Sequence, residues 1–279
     1  MPPLLLINGW AGVALDWGGL PRLLSGKSSR VVITFDPRGL GSSLKVFLDS
    51  GTTSTQSATT MAFDANDVLN TYFDSLDLKG EERTADVMGI SMGGMVAQEL
   101  TTLCSVRKLI LGCTTPGGSK SNPPLHPPKD GEFFNVFNDW KNDGSKKDAS
   151  IASEFLFKVL GESHCSSRTG KIMLCRMVDR FVESRREMGS NGGSEGVIAQ
   201  LPTLKHFDGT DILKSISCEE VMIMHGVDDG VVPFGNAGTM RDLIGTAKSR
   251  VVEFEEGSGH FFFITKAKET VEHINRFLK

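Results

Sequence analysis

Gly89-Ile90-Ser91-Met92-Gly93-Gly94 follows the apolar run 86–88 and precedes 95–100, a run of good helix formers. The predicted order is therefore strand, tight turn, helix. A serine on such a turn needs small residues two positions to either side, because a Cβ there would collide with the adjoining strand and helix. Gly89 and Gly93 meet this requirement. The turn is expected to lift the Ser91 hydroxyl out of the sheet, with the Met92 N–H at the start of the helix as an oxyanion donor.

A glycine-flanked serine alone is a weak signal, because the spacing recurs by chance. The hydroxyl is inert unless a base takes its proton and a third group orients that base. Both kinds of residue follow later in the chain. The strand-like run 221–225 leads into a turn that carries Asp228 and Asp229, and Gly259-His260 comes after the run 251–254. On spacing alone, either aspartate can serve.

Short β-branched or apolar runs alternate with amphipathic helical stretches along most of the chain, which predicts an α/β fold with a mostly parallel central sheet flanked by helices. The predicted strands are Leu4–Ile7, Val31–Phe35, Asp86–Ile90, Lys108–Leu111, Val221–His225 and Val251–Phe254. The predicted helices between and after them are Met61–Leu76, Gly93–Leu103, Asn236–Ile244 and Ala267–Leu278.

The pattern changes between 119 and 206, where strand-like runs vanish. We therefore predict an α/β core made of 1–118 and 207–279, with 119–206 inserted as a helical cap, or lid. Such an insertion would cover the carboxyl ends of the strands, where folds of this kind bind ligands. Its three apolar stripes are Phe133, Phe134, Phe137 and Trp140; Phe155, Leu156, Val159 and Leu160; and Met173, Leu174, Met177, Val178 and Phe181.

The composition points to a small-molecule partner. The 279 residues include 30 basic and 34 acidic side chains, a net charge of -4, so no basic footprint for nucleic acid is present. The apolar opening run ends at Asn8-Gly9, too short for a signal peptide core or a membrane span. The odd number of scattered cysteines and the absence of an Asn-x-Ser/Thr site favour a cytoplasmic location.

No metal or organic cofactor is expected. His164, Cys165 and Cys175 are conceivable zinc ligands, but no C-x-x-C or H-x-x-x-H pair accompanies them, and ordinary thiols are the better interpretation. His206 and His225 are interpreted as structural histidines rather than pocket residues.

The residues quoted above resemble the α/β-hydrolase superfamily, and its esterase and lactonase-like members most. The resemblance implies the chain order nucleophile, acid, histidine. The family's acid follows a strand in the pattern Gly, two residues, Asp, three residues, Pro; Gly226, Asp229 and Pro233 match it, which favours Asp229 and leaves Asp228 as the alternative. The family's histidine follows a Gly-x-Gly turn, as His260 does.

Two further stretches carry the resemblance. Residues 4–10 resemble the strand and loop that give the second oxyanion donor, which implies that role for the Trp10 N–H; Asn8 stands where the family commonly has a histidine, and can still hydrogen-bond the loop. Residues 35–43 resemble the turn after the next parallel strand, where Asp36 and Arg38 are predicted to tie loops together. The family usually has one or two antiparallel strands before the strand predicted at Leu4, so an unpaired sheet edge is expected here.

The predicted activity is hydrolysis of a carboxylic ester or lactone of a small to medium, mostly apolar substrate, with Ser91, Asp229 and His260 as the catalytic triad. Acyl transfer, C–C bond hydrolysis and haloperoxidase-like perhydrolysis use the same three residues on the same fold. A non-catalytic receptor is the alternative from another class, because a fold does not fix a function. Neither the natural substrate nor the oligomeric state follows from the sequence.

Overall fold

A computed structural model describes residues 1–28, 30–43, 56–118, 146–187 and 193–279. Within these residues the strands are β1 (Leu4–Ile7), β2 (Val32–Thr34), β3 (Thr84–Ile90), β4 (Ser105–Gly112), β5 (Glu220–Gly226) and β6 (Ser249–Phe254). They form one sheet in the order β2-β1-β3-β4-β5-β6, and every neighbouring pair is parallel. The predicted parallel sheet is confirmed.

Helices carry the crossovers that parallel neighbours require. They are α1 (Leu20–Ser28), α2 (Ala58–Ser75), α3 (Met92–Leu100), α4 (Lys146–Leu160), α5 (Glu162–Ser166), α6 (Arg168–Glu187), α7 (Gly193–Ala199), α8 (Leu201–His206), α9 (Thr210–Lys214), α10 (Gly235–Ile244), α11 (Phe262–Thr265) and α12 (Ala267–Phe277). The four predicted core helices correspond to α2, α3, α10 and α12. Helix α1 was not predicted, because Pro21 and Gly26 interrupt its pattern.

Alternate residues of the strands point to opposite faces of the sheet. Leu5 and Ile7 join an apolar cluster with α2, α3 and α10, whereas Leu4 and Leu6 join a second cluster with α1, α11 and α12. Leu4, Leu5 and Leu6 are all 0% exposed. Because both faces are covered, the strand reads as a continuous apolar run, as expected for a buried parallel strand.

The sheet topology fixes where a ligand can bind. From β1 the chain moves to β2 on one side, and then returns to β3 on the other side of β1. The strand order therefore reverses between β1 and β3, and the crevice beyond the carboxyl ends of strands at such a reversal is the usual ligand site of open α/β sheets. Residues 8–10 follow β1 and Ser91 follows β3, so both stretches lie at this crevice.

Strand β2 is an edge of the sheet, and among the described residues no strand pairs with its outer side. Its three residues are only partly buried. The unpaired sheet edge expected from the sequence therefore lies at β2 within the described residues.

The helices α4 to α8 lie between β4 and β5, and they form the inserted helical segment expected from the sequence. Leu156, Val159, Leu160 and Val178 are buried there. The stripe 133–140 lies outside the described residues, as do the side chains of Phe155 and Phe181. The boundaries 119 and 206 stay a prediction. None of the described helices has the length and apolar character to cross a membrane.

Candidate active site

Ser91 occupies the turn between β3 and α3 in a strained backbone conformation, with φ 54° and ψ −125°. A residue other than glycine takes up a positive φ at a cost of order 1–3 kcal/mol, and such outliers concentrate at functional sites. The flanking glycines make this turn possible. A Cβ at Gly89 would lie 2.2 Å from the Gly93 carbonyl oxygen, and one at Gly93 would lie 2.2 Å from the Ile7 carbonyl oxygen.

The loop after β1 lies directly against the serine. A Cβ at Gly9 would stand 3.0 Å from Ser91 Cβ and 3.5 Å from Ser91 Oγ. The buried Asn8 side chain holds this loop, because its Nδ2 donates to the Val13 carbonyl oxygen at 2.7 Å. Asn8 therefore makes the loop hydrogen bond that the sequence predicted for it.

Asp36 ties loops together, as predicted, whereas Arg38 ties its loop to a helix. Asp36 accepts from the backbone N–H groups of Ala14 and Ser42, each at 2.8 Å. Arg38 makes a two-pronged ion pair with Asp64 on α2.

The structure brings His260 and Asp229 together in the buried interior of the site. His260 Nδ1 lies 2.7 Å from Asp229 Oδ2. The other carboxylate oxygen, Oδ1, accepts from the backbone N–H groups of Val231 at 2.8 Å and Val232 at 2.9 Å. Both oxygens of Asp229 are thus fixed, and the imidazole is held with its Nε2 directed away from the carboxylate.

Asp228 faces a different set of atoms. Its carboxylate accepts from the backbone N–H of Gly257 at 2.7 Å, from the Ser258 hydroxyl at 3.0 Å and from the backbone N–H of Gly259 at 2.9 Å. It therefore holds the turn that carries His260, whereas Asp229 holds the imidazole itself. Of the two aspartates that the sequence left open, the geometry favours Asp229 as the partner of the ring.

The buried pair carries opposite pKa shifts. Burial alone would raise the pKa of Asp229, but the contacts with His260 and His225 outweigh it and hold that pKa well below its usual range. Burial alone would lower the pKa of His260, but the ionised Asp229 carboxylate outweighs it and raises that pKa well above its usual value. The carboxylate is therefore ionised, and it strengthens His260 as a base.

Cys113 lies at the centre of this arrangement, directly after β4, with φ 39° and 0% exposure. Burial raises the pKa of its thiol, which also interacts with His260, Asp229 and the Ser91 backbone. The thiol is therefore protonated at neutral pH and closed off from solvent. Cys113 thus interacts with both the Ser91 backbone and the His260–Asp229 pair.

Only one group of potential metal ligands occurs within the described residues. Cys113 Sγ, an oxygen of Asp229 and a nitrogen of His260 lie within 4.8 Å of one another. The Asp229 oxygen and His260 Nδ1 are 2.7 Å apart, a hydrogen-bond distance that leaves no space for an ion between them. His164, Cys165 and Cys175 form no such group.

The two predicted oxyanion donors, the N–H groups of Met92 and Trp10, lie at the start of α3 and in the loop after β1. Met92 is the first residue of α3, where an N–H has no acceptor within the helix. Trp10 follows Gly9 in the loop against Ser91, and its indole Nε1 donates to the Val197 carbonyl oxygen on α7 at 2.9 Å. The next residue, Ala11, donates its backbone N–H to Gln200 Oε1 at 3.0 Å. The inserted segment therefore anchors this loop.

The inserted segment also anchors the histidine. The Val159 carbonyl oxygen, in the last turn of α4, accepts from the backbone N–H groups of His260 at 2.8 Å and Phe261 at 3.3 Å. An apolar cluster fills the space between this segment and the site. It contains Ala11, Val13, Leu40, Leu156, Val159, Val178 and Val197, with Trp10, Leu174, Met177, Val231 and Phe261 packed against it.

Three contacts of the site were missed by the sequence analysis. The sequence analysis did not identify Cys113 as a site residue and interpreted His225 as a structural histidine, yet His225 Nε2 lies 3.2 Å from Asp229 Oδ2. The dipeptide His225-Gly226 was an available signal, because it places an imidazole four residues before Asp229. No sequence signal identifies the Val159 carbonyl as a partner of the histidine backbone.

An alpha/beta hydrolase fold family model matches residues 2–267, and the chain belongs to this family. The resemblance inferred from the sequence is thereby confirmed. No sequence among the curated proteins matches the chain.

Solved structures of the same fold cover nearly all of the chain. An esterase from Exiguobacterium antarcticum is 24% identical with a TM-score of 0.70, covering 99% of this chain and 91% of that one. A putative non-heme bromoperoxidase from Mycobacterium tuberculosis H37Rv is 17% identical with a TM-score of 0.71, covering 100% and 92%. A meta-cleavage product hydrolase from Pseudomonas fluorescens IP01 is 18% identical with a TM-score of 0.71, covering 100% and 90%. At these identities the likeness shows a shared fold.

Proposed function

We propose that this protein is a serine hydrolase that cleaves a carboxylic ester or lactone through an acyl-enzyme on Ser91. The observation that carries the proposal is the 2.7 Å contact between His260 Nδ1 and Asp229 Oδ2, in a molecule that also holds Ser91 on a strained strand-to-helix turn. A serine on such a turn, a histidine and a carboxylate that orients it are the parts that acyl transfer needs.

The proposed reaction assigns one role to each group. Asp229 accepts a hydrogen bond from Nδ1 of His260. The other ring nitrogen, Nε2, then accepts the proton of the Ser91 hydroxyl as the serine oxygen attacks the carbonyl carbon. The N–H groups of Met92 and Trp10 then stabilise the negative oxygen of the tetrahedral intermediate. His260 gives its proton to the leaving alcohol, and afterwards activates the water that releases the acid.

The surroundings of the site support a mostly apolar substrate of small to medium size. Trp10 is a proposed oxyanion donor, Val231 donates its N–H to Asp229, and Phe261 follows His260 in the sequence. All three pack against the apolar cluster that includes Leu156 and Val159. An acyl chain that enters between the inserted helices and the core meets apolar side chains. The inserted segment then acts as a lid, and its displacement controls entry.

The test is turnover of short and medium p-nitrophenyl esters and of simple lactones by the intact chain. Ser91→Ala and His260→Ala should abolish turnover, whereas Ser75→Ala, an exposed serine at the end of α2, should leave it unchanged. Turnover that persists in Ser91→Ala would point to a contaminating or non-specific reaction, and loss in Ser75→Ala as well would point to a folding defect of the variants. A folded, intact chain that hydrolyses none of these substrates would reject the proposal and favour a binding role on the same fold.

Acyl transfer, C–C cleavage and perhydrolysis are alternatives within the same machinery, and structures titled bromoperoxidase and meta-cleavage product hydrolase share the fold. Adding an alcohol or hydrogen peroxide to the ester assay separates acyl transfer and perhydrolysis from hydrolysis. Diversion of most of the acyl group from water to the added acceptor would replace hydrolysis by transfer as the proposed reaction.

A further inference from the structure

His225 is a second imidazole on the proposed catalytic carboxylate. It lies near the end of β5, is 0% exposed, and places Nε2 2.9 Å from the Val232 carbonyl oxygen and 3.2 Å from Asp229 Oδ2. Asp229 Oδ2 therefore has two imidazole neighbours, His225 at 3.2 Å and His260 at 2.7 Å.

The hydrogen-bond partners determine the tautomer of His225. A carbonyl oxygen only accepts, so the hydrogen must reside on Nε2, where it is shared between the Val232 carbonyl oxygen and Asp229 Oδ2. His225 Nδ1 is buried and has no hydrogen-bond partner among the described residues. A hydrogen on Nδ1 would lack an acceptor, which agrees with Nε2 as the donor atom of this ring.

These contacts close a ring of hydrogen bonds around the acid. His225 Nε2 contacts both the Val232 carbonyl oxygen and Asp229 Oδ2, while the Val232 N–H donates at 2.9 Å to Asp229 Oδ1. One residue of the turn, Val232, is thus held by the imidazole and the carboxylate together. Rotation of the carboxylate would break at least two of these bonds.

We propose that His225 is a positioning residue, whose Nε2–H fixes the rotation of the Asp229 carboxylate and limits the negative charge that Oδ2 presents to His260. This inference deepens the proposed function and rests on it for its catalytic consequence. The titratable groups around the acid are His225, His260 and Cys113. Burial raises the pKa of the Cys113 thiol, and the Asp229 carboxylate raises that of His260, so His260 is the group whose titration reports the charge on Asp229.

The sign of the effect on His260 follows from charge. A donor on Oδ2 withdraws part of the charge that stabilises protonated His260. Removing this donor should therefore raise the pKa of His260 further, and at the same time free the carboxylate to rotate. We expect a slower chemical step, with kcat reduced about 10-fold, as for one lost hydrogen bond to a charged group. KM should change little, because His225 is fully buried and does not reach the substrate.

The experiment compares three replacements of His225 in the full chain. In the Gln variant the amide nitrogen lies about as far from the backbone as the imidazole Nε2, so the hydrogen-bond donor is kept. In the Asn variant the amide lies only as far out as Nδ1 and cannot donate to Asp229. The Leu variant has no donor. The pKa of His260 is measured by NMR with isotope-labelled histidine, its signal being assigned by its absence in His260→Ala. Thermal unfolding confirms that each variant is folded, and the Gln and Asn pair suffices if the Leu variant does not fold.

We predict that the pKa of His260 rises in the Asn and Leu variants and stays near its original value in the Gln variant, with kcat following the same order. An unchanged His260 pKa in folded Asn or Leu variants, or equal behaviour of Asn and Gln, would overturn the inference. Because the NMR titration does not depend on turnover, it stays informative if the chain hydrolyses no ester. Loss of the proposed function and loss of the His225 inference are therefore separate results.

Discussion

At the scale of single residues, adjacent side chains with the same chemistry have different environments. Asp228 and Asp229 differ by one position, yet one binds the backbone of the 257–259 turn and the other binds the ring of His260. The sequence supplied both carboxylates, and the family pattern favoured Asp229. Their different contacts depend on how the turn after β5 meets the turn after β6, which spacing alone does not determine.

Substitution of each aspartate should separate these two environments. Asp229→Asn is expected to reduce kcat by about 10⁴-fold, since an amide in this place favours the wrong tautomer of His260. Asp228→Ala should instead lower the free energy of unfolding by about 1–3 kcal/mol, because it leaves donors of the turn unpaired. Steady-state kinetics and denaturant unfolding of both variants are the measurements. A larger loss of kcat in Asp228→Ala than in Asp229→Asn would contradict these assignments.

The pH dependence should report the His260–Asp229 pair. The proposed base, His260, works in its neutral form, and its pKa is raised well above 6.5. As the pH falls through the raised pKa, His260 gains a proton and kcat/KM is lost, so the midpoint of the acidic limb is expected above 6.5. Asp229→Asn, which removes the negative charge, should move this midpoint to lower pH. An acidic limb centred below 6.5 in the unaltered chain would show that the carboxylate does not act on the base.

Close backbone contacts at the turn that carries Ser91 predict an effect on stability. A Cβ at Gly93 would meet the Ile7 carbonyl oxygen at 2.2 Å and the Asn8 carbonyl oxygen at 2.4 Å. Gly93→Ala must therefore push α3 away from β1, and the expected loss in free energy of unfolding is about 2–4 kcal/mol.

Gly238→Ala in α10 is the matched control, because nothing lies within 4 Å of the added Cβ. This replacement should stabilise the chain by about 0.5–1 kcal/mol through helix propensity. Equal effects of the two replacements in denaturant unfolding would mean that the close contact between α3 and β1 is absent.

At the scale of secondary-structure elements, the inserted segment holds both walls of the site. The α4 carbonyl of Val159 bonds the backbone of His260, and Val197 and Gln200 bond Trp10 and Ala11. The amphipathic stripes in the sequence predicted that these helices exist. They did not predict that the carbonyl oxygens of Val159 and Val197 hold the loops of the proposed site, because such backbone contacts leave no pattern in side-chain type.

Two glycines of the 257–259 turn test the link between α4 and His260. Both have a positive φ, 82° at Gly257 and 60° at Gly259, so alanine brings similar backbone strain to each. A Cβ at Gly259 would lie 2.4 Å from the Leu160 carbonyl oxygen, whereas one at Gly257 has its nearest neighbour, Ser163 Oγ, at 3.6 Å. Gly259→Ala should therefore separate α4 from the turn and reduce kcat far more than Gly257→Ala. Equal kcat values in the two folded variants would show that the α4 contact does not position His260.

At the scale of the whole molecule, the sheet determines which loops meet. All six strands and four core helices were predictable, because parallel strands buried on both faces leave apolar runs that alternate with amphipathic stretches. The reversal of strand order between β1 and β3 then places the loop of residues 8–10 against Ser91. The partners of Cys113 were beyond sequence reasoning, since they depend on packing between elements distant in the chain. Helix α1 was missed because Pro21 and Gly26 interrupt its pattern.

The central claim is that Ser91 is the nucleophile, and the most direct measurement is mass-spectrometric mapping of a fluorophosphonate adduct. We predict one adduct per chain, on the peptide that contains Ser91, absent in Ser91→Ala and strongly reduced in His260→Ala. An adduct on another residue, or no adduct on the folded intact chain, would contradict the claim.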